Sequence, residues 1–103
     1  MPWATQGILQ SPTAGTLLAD TGALLAATFS LTILVTTQYS ARVTIARRNA
    51  LNDTDLSTHL VKTVSDAPTM LNGMGSIALL LNERIVVRAE SAMIGEVQAS
   101  ILW

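Results

Sequence analysis

Thr21 to Ala41, TGALLAATFSLTILVTTQYSA, decides the fold class of this chain. It is a run of 21 residues without a charge, about the length that crosses a bilayer as a helix. Seven of these residues are Ser or Thr, and Phe29, Leu31, Ile33 and Val35 alternate with Thr28, Ser30 and Thr32. A period of two marks a strand with one buried face, whereas a membrane helix has no reason to place a hydroxyl at every second position. The stretch therefore predicts a long strand from about Leu25 to Thr37, apolar on one side and hydroxyl-rich on the other. A small membrane-inserted protein using residues 21–41 is the alternative that this periodicity displaces.

The same alternation continues toward the C-terminus. Ser40 to Arg48 places Ala41, Val43 and Ile45 on one face and Arg42 and Thr44 on the other. Asn49 to Asp55 (NALNDTD) has the Asn and Asp chemistry of a loop. Beyond it the pattern is double. Leu56, Leu60, Val61 and Val64 fit a helical stripe capped by Asp53 or Thr54, while Leu60, Lys62 and Val64 alternate with His59, Val61 and Thr63. The β surroundings and the Val and Thr content favour a strand over 56–65. Asp66-Ala67-Pro68 and Asn72 to Ser76 (NGMGS) bracket a short piece at Thr69 to Leu71, followed by the apolar run Ile77 to Leu81. Asn82-Glu83 turns the chain into Arg84 to Glu90, where Ile85, Val87 and Ala89 face away from Arg84, Val86 and Arg88. A hairpin through Ser91 to Gly95 is expected to bring Glu96 to Trp103 alongside, with Val97, Ala99, Ile101 and Trp103 inward.

Toward the N-terminus, Asp20-Thr21-Gly22 forms a turn signal and Thr16 to Ala19 a short strand. Residues 1–15 hold two of the three prolines and read as an extended N-terminal arm. Ile8 and Leu9 give that arm one short edge strand, and Trp3 could anchor it on a neighbouring subunit. Residues 16–103 then form a single all-β domain. The expected architecture is an antiparallel sandwich or barrel of jelly-roll type with about eight short strands.

Composition points to association. Of 103 residues 50% are hydrophobic and 13% charged, about half the usual charged share. A domain this small normally needs charge to cover its surface, so an uncharged surface implies a partner. Six basic and seven acidic residues give a formal charge of −1, which creates no field to attract nucleic acid or an anionic membrane. There is no cysteine, which excludes disulfides, thiolate metal sites and a cysteine nucleophile. No basic residue precedes Arg42, so a secretory signal is not expected.

No catalytic or cofactor site is expected. His59 is the one histidine. Asp53-Thr54-Asp55 resembles the start of an EF-hand loop, but Thr58 and Val64 stand where its glycine and closing glutamate belong. No Gly-x-Ser-x-Gly elbow occurs, and Gly73-Met74-Gly75-Ser76 lacks the lysine of a phosphate-binding loop. Glu83, Glu90 and Glu96 suit solvated strand ends better than a glycosidase pair. The constellation that stands out is arginine: Arg42, Arg47, Arg48, Arg84 and Arg88, most of them in two strands that a sheet could make neighbours. They are either an interface, which arginine favours, or an outer face neutralised by Glu83, Glu90 and Glu96. Candidate interface residues are thus Trp3, Arg42, Arg84, Arg88 and Trp103, the last because Ile101-Leu102-Trp103 is an apolar run that calls for burial.

Arg47 to Asp55 (R-R-N-A and its acidic loop), L-N-E-R-I-V-V-R-A at 81–89 and I-G-E-V-Q-A-S-I at 94–101 resemble small β-sandwich virion proteins of tailed bacteriophages. The resemblance covers roughly residues 24–103 and rests on texture rather than on a catalytic signature. It implies a virion structural protein, such as a capsid cement or decoration protein, or part of a fibre. It also implies a homotrimer that contacts the major capsid or another virion protein. The rival expectation is a monomeric carbohydrate- or ligand-binding β module. Four aromatic residues, Trp3, Phe29, Tyr39 and Trp103, offer little for sugar stacking.

Overall fold

A computed structural model describes residues 3–24, 26–49, 55–64, 69–71 and 76–103. Its strands are β1 (Trp3–Thr5), β2 (Leu9–Gln10), β3 (Leu17–Asp20), β4 (Ala27–Ser30), β5 (Thr32–Thr37), β6 (Ala41–Arg48), β7 (Asp55–Val64), β8 (Thr69–Leu71), β9 (Ser76–Leu79), β10 (Arg84–Ala89) and β11 (Glu96–Leu102). The loop expected at 49–55 and the turns expected at 66–68 and 72–76 lie wholly or largely outside the described residues, as does Asp53. The side chain of His59 lies outside them too.

All described pairings are antiparallel. One sheet runs β1-β11-β5-β8, with β2 continuing β1 along β11; a second runs β3-β10-β6-β7; β4 and β9 form a two-stranded ribbon. The two larger sheets have the strand order of a jelly roll, a long hairpin rolled into two layers. The hairpin can be read from the register. Trp3 faces Leu102, Ala19 faces Val87, Phe29 faces Ile77, Leu34 faces Met70 and Arg42 faces Thr63, so partners' residue numbers always total between 103 and 106. Rolling this ribbon then adds the pairings β10 with β6 and β11 with β5.

That topology corrects one expectation. β10 and β11 do not form a hairpin: β10 pairs with β3 and β6, and β11 with β1, β2 and β5. In a rolled ribbon successive strands cross between layers, and β6 and β7 are neighbours in sequence that are also neighbours in a sheet. The same crossing divides the strand expected over 25–37. β4 pairs with β9, the chain passes buried Leu31, and β5 enters the larger sheet. The alternation runs unbroken across Leu31, so it carries no mark of the change of partner. Residues 55–64 are strand, as their β-branched content favours.

The N-terminal segment lies along its own chain. Three residues, 6–8, oppose two on β11, and Gly7 takes φ of 81° at that bulge, the left-handed geometry that a bulge of this kind assigns to glycine. Between the layers, one core joins Leu18, Val43, Ile45, Ile85 and Val87 of the second sheet to Ile33, Val35, Val97 and Ile101 of the first. These are the alternate positions of each strand, so a single period-two pattern fills the interior.

Gly95 sets the entry to β11. Its φ is 78°, its N–H donates to Ser11 Oγ at 3.1 Å, and an added Cβ would run into the Gln38 side chain, whose Oε1 accepts the Glu96 N–H at 3.1 Å. Gly95→Ala is therefore expected to cost about 1–2 kcal/mol for the left-handed backbone alone. Urea unfolding measures it; a variant as stable as the parent would show that the turn relaxes without strain.

Candidate association surface

The two larger sheets differ in charge. All six basic residues lie on the strands of the second sheet: Arg42, Arg47 and Arg48 on β6, Lys62 on β7, Arg84 and Arg88 on β10. The strands of the first sheet carry Glu96 and no other charge.

On the second sheet the register sets Arg84 opposite Arg48 and Arg88 opposite Thr44. Like charges facing across a ladder repel, so this face requires interposed acids. They are present. Asp55 on β7 takes Arg48 Nε at 3.0 Å on one oxygen and Arg88 on the other, and Asp20 on β3 meets Arg84 Nε at 3.5 Å. Arg42 Nε donates to Glu90 Oε2 at 2.9 Å, and Arg47 approaches Glu83 at 3.6 Å. Glu83 is nearly buried and also accepts the Leu80 N–H at 2.8 Å, which closes a turn whose third residue, Asn82, has φ of 66°. Thr44, Ala46 and Val86, which share the outward face with Arg42, Arg48, Arg84 and Arg88, are buried as well, whereas Arg47 stands opposite inward-facing Ile85 at the edge of the other face. Arginine stems flank them and are suited to covering them.

The arginines are thus committed to carboxylates on neighbouring strands (Asp20, Asp55) or at the two ends of β10 (Glu83, Glu90), and the arrangement ties β3, β6, β7 and β10 together. Glu96, expected among their partners, instead accepts from Gln10 Nε2 at 3.4 Å. Asp20 and Asp55 do that work, and their spacing along the chain gave no signal of it. The Arg42–Glu90 pair is solvent-exposed, with 56% and 40% of the side chains accessible, so Arg42→Ala is expected to change stability by less than about 1 kcal/mol. A thermal melt showing a larger loss would mean that Arg42 also holds the sheet.

Trp3 and Trp103 belong to the other sheet. Trp3 is 63% exposed on β1 opposite Leu102, while Trp103 is half-buried and packs against the core. The five candidate residues are therefore not one patch: three lie in the ion-paired sheet and two at one end of the uncharged one. Between the tryptophan end and Glu96, the outward side of the uncharged sheet is lined by Thr32, Leu34, Thr36, Gln98, Ser100 and Leu102. The absence of charge from the strands concerned was the sequence signal for this face.

A depression of about 70 Å³ lies at the bulge, lined by Ile8, Thr36, Glu96, Val97 and Gln98. Small-molecule sites are commonly about 300 Å³ or more, so this one suits a water or a single side chain. Among the described residues no group of three or more His, Asp or Glu converges as a metal site would require. No helix among them is long and apolar enough to cross a membrane, and residues 21–41 hold β4 and β5. The sequence matches no protein-family model, and neither the curated proteins nor the solved structures contain a match to it.

Proposed function

We propose that this chain is a non-enzymatic structural protein that works by associating with copies of itself, and that its setting is a bacteriophage virion, as a cement or decoration protein on the capsid shell. The segregation of charge carries the self-association: one sheet holds every basic residue, and the other presents an outward face with Glu96 as its sole charge. A solvated monomer gains from charge on every face; a sheet face without it gains from being covered. The jelly roll supports the virion setting by analogy, since this fold recurs in capsid proteins, and the sequence texture at 81–89 and 94–101 points the same way.

The mass of the purified protein at micromolar concentration tests the first part. A whole-number multiple of 10.9 kDa above one is expected; a monomer overturns self-association. Antibody labelling of purified particles under the electron microscope tests the second, with label on the shell expected. Particles that lack the protein overturn the virion setting.

A further inference from the structure

Resting on the self-association just proposed, we infer that the outward face of the β1-β11-β5-β8 sheet is the contact surface, and that its occupant is the same face of a second copy in a two-fold dimer. Three observations favour a copy over an unrelated partner.

The first is chemical self-complementarity. Threonine, serine and glutamine each donate and accept hydrogen bonds, so Thr32, Thr36, Gln98 and Ser100 can pair with their own kind. Leu34 and Leu102 supply apolar contact between them. A face built of one sign of charge would repel its copy, whereas this one has a single charge, at its edge.

The second is the position of that charge. Glu96 opens β11 and Leu102 closes it, so the two ends of the face are about 20 Å apart. A two-fold axis across the strands lays Glu96 of each copy over the Leu102 end of the other and keeps the two carboxylates apart. It also places the middle of the face, where Ser100 is paired with Leu34, near the axis.

The third is area. β11 has seven residues, β5 six and β8 three, and with β1 and β2 they project, at the usual rise and strand spacing, to about 400 Å² before side-chain relief. Specific interfaces begin near 600 Å² per partner, and Trp3 and Ile8 at the rim, both more than half exposed, enlarge the face toward that size. A face that packs on the same face of a copy closes at two subunits, so two-fold symmetry takes the place of the trimer that the family resemblance implied.

Charge and cross-linking test the inference together. Thr36 is exposed and stands opposite Gln98, so the double variant Thr36→Lys, Gln98→Lys is expected to fold with a somewhat lowered melting temperature, because two like charges then face each other across the ladder and the dimer is lost, and to run as a monomer where the parent is a dimer. Thr63→Lys, on an exposed position of β7 in the other sheet, is expected to stay dimeric. The chain has no cysteine, so each introduced thiol reports on itself alone. With a short bis-maleimide, Ser100→Cys is expected to cross-link to its copy and Glu96→Cys is not. A monomeric parent overturns self-association itself. A dimer that survives the double lysine variant, or that cross-links through Glu96→Cys and not Ser100→Cys, overturns this face and orientation while leaving self-association standing. A trimeric parent overturns the two-fold contact. If the double variant unfolds, the two cysteine variants decide alone.

Discussion

Ile101→Ala is expected to lower stability by about 3–4 kcal/mol, in the middle of the range for truncating one buried aliphatic side chain. Ile101 sits on the strand that β1 and β5 both pair with, opposite Ala4 on one side and Ile33 on the other, and none of its surface reaches solvent. Its side chain projects between the two layers among residues drawn from both. Removing three carbons there leaves a cavity that a strand held on both sides cannot close by moving. Domains of this size are stable by about 5–15 kcal/mol, so the variant stands near the edge of folding at body temperature. Urea denaturation gives the value, with Ile94→Ala as control because Ile94 is 67% exposed. A loss below about 1.5 kcal/mol would mean that the layers reclose around the vacancy and that β11 is not the fixed centre of the core.

Asp55→Asn is expected to cost about 3 kcal/mol while keeping the shape of the side chain. The carboxylate serves Arg48 and Arg88 at once, and Arg48 is 7% exposed. Asparagine offers one acceptor and no charge, so two guanidinium groups are left facing each other in a partly dry site. Breaking a buried pair commonly costs about 3–5 kcal/mol, and the 18% exposure of Asp55 places this case at the low end. The loss should persist in concentrated salt, since burial protects the pair from screening, whereas anything contributed by Arg42 and Glu90 should fade. Chemical denaturation at low and high salt distinguishes the two. An Asn variant within about 1 kcal/mol of the parent would reduce the cluster to a surface feature.

Period-two alternation made the class of fold and most strands legible, because half-buried strands leave it wherever they pair. What alternation cannot carry is the identity of the neighbour. Phe29 and Ile33 follow one unbroken pattern, yet they face Ile77 and Ile101 in different sheets. For the same reason the hairpin expected between Ala89 and Glu96 was not one: the residues between them suit a turn equally well when it crosses layers. The arginines stood out as a cluster, but the acids that meet Arg84 and Arg88 arrive from β3 and β7, far from them in sequence. Charge pairing across a rolled sheet is a property of register. Trp103, expected inside, is only half-buried, since it follows the last paired residue of β11.

The constant register of the ribbon has a mechanical consequence. Because Trp3 lies directly opposite Leu102, tension that draws these two points apart acts across the first hydrogen-bonded rung instead of along a strand. The load then falls on one rung at a time: β1 peels from β11, then β2, with each residue let out adding about 3.5 Å of slack. Tension applied between the β6–β7 end and either of these points runs along the strands and must shear many rungs at once. The molecule is thus a zipper when drawn apart at Trp3 and Leu102 and a strap when held by its fold.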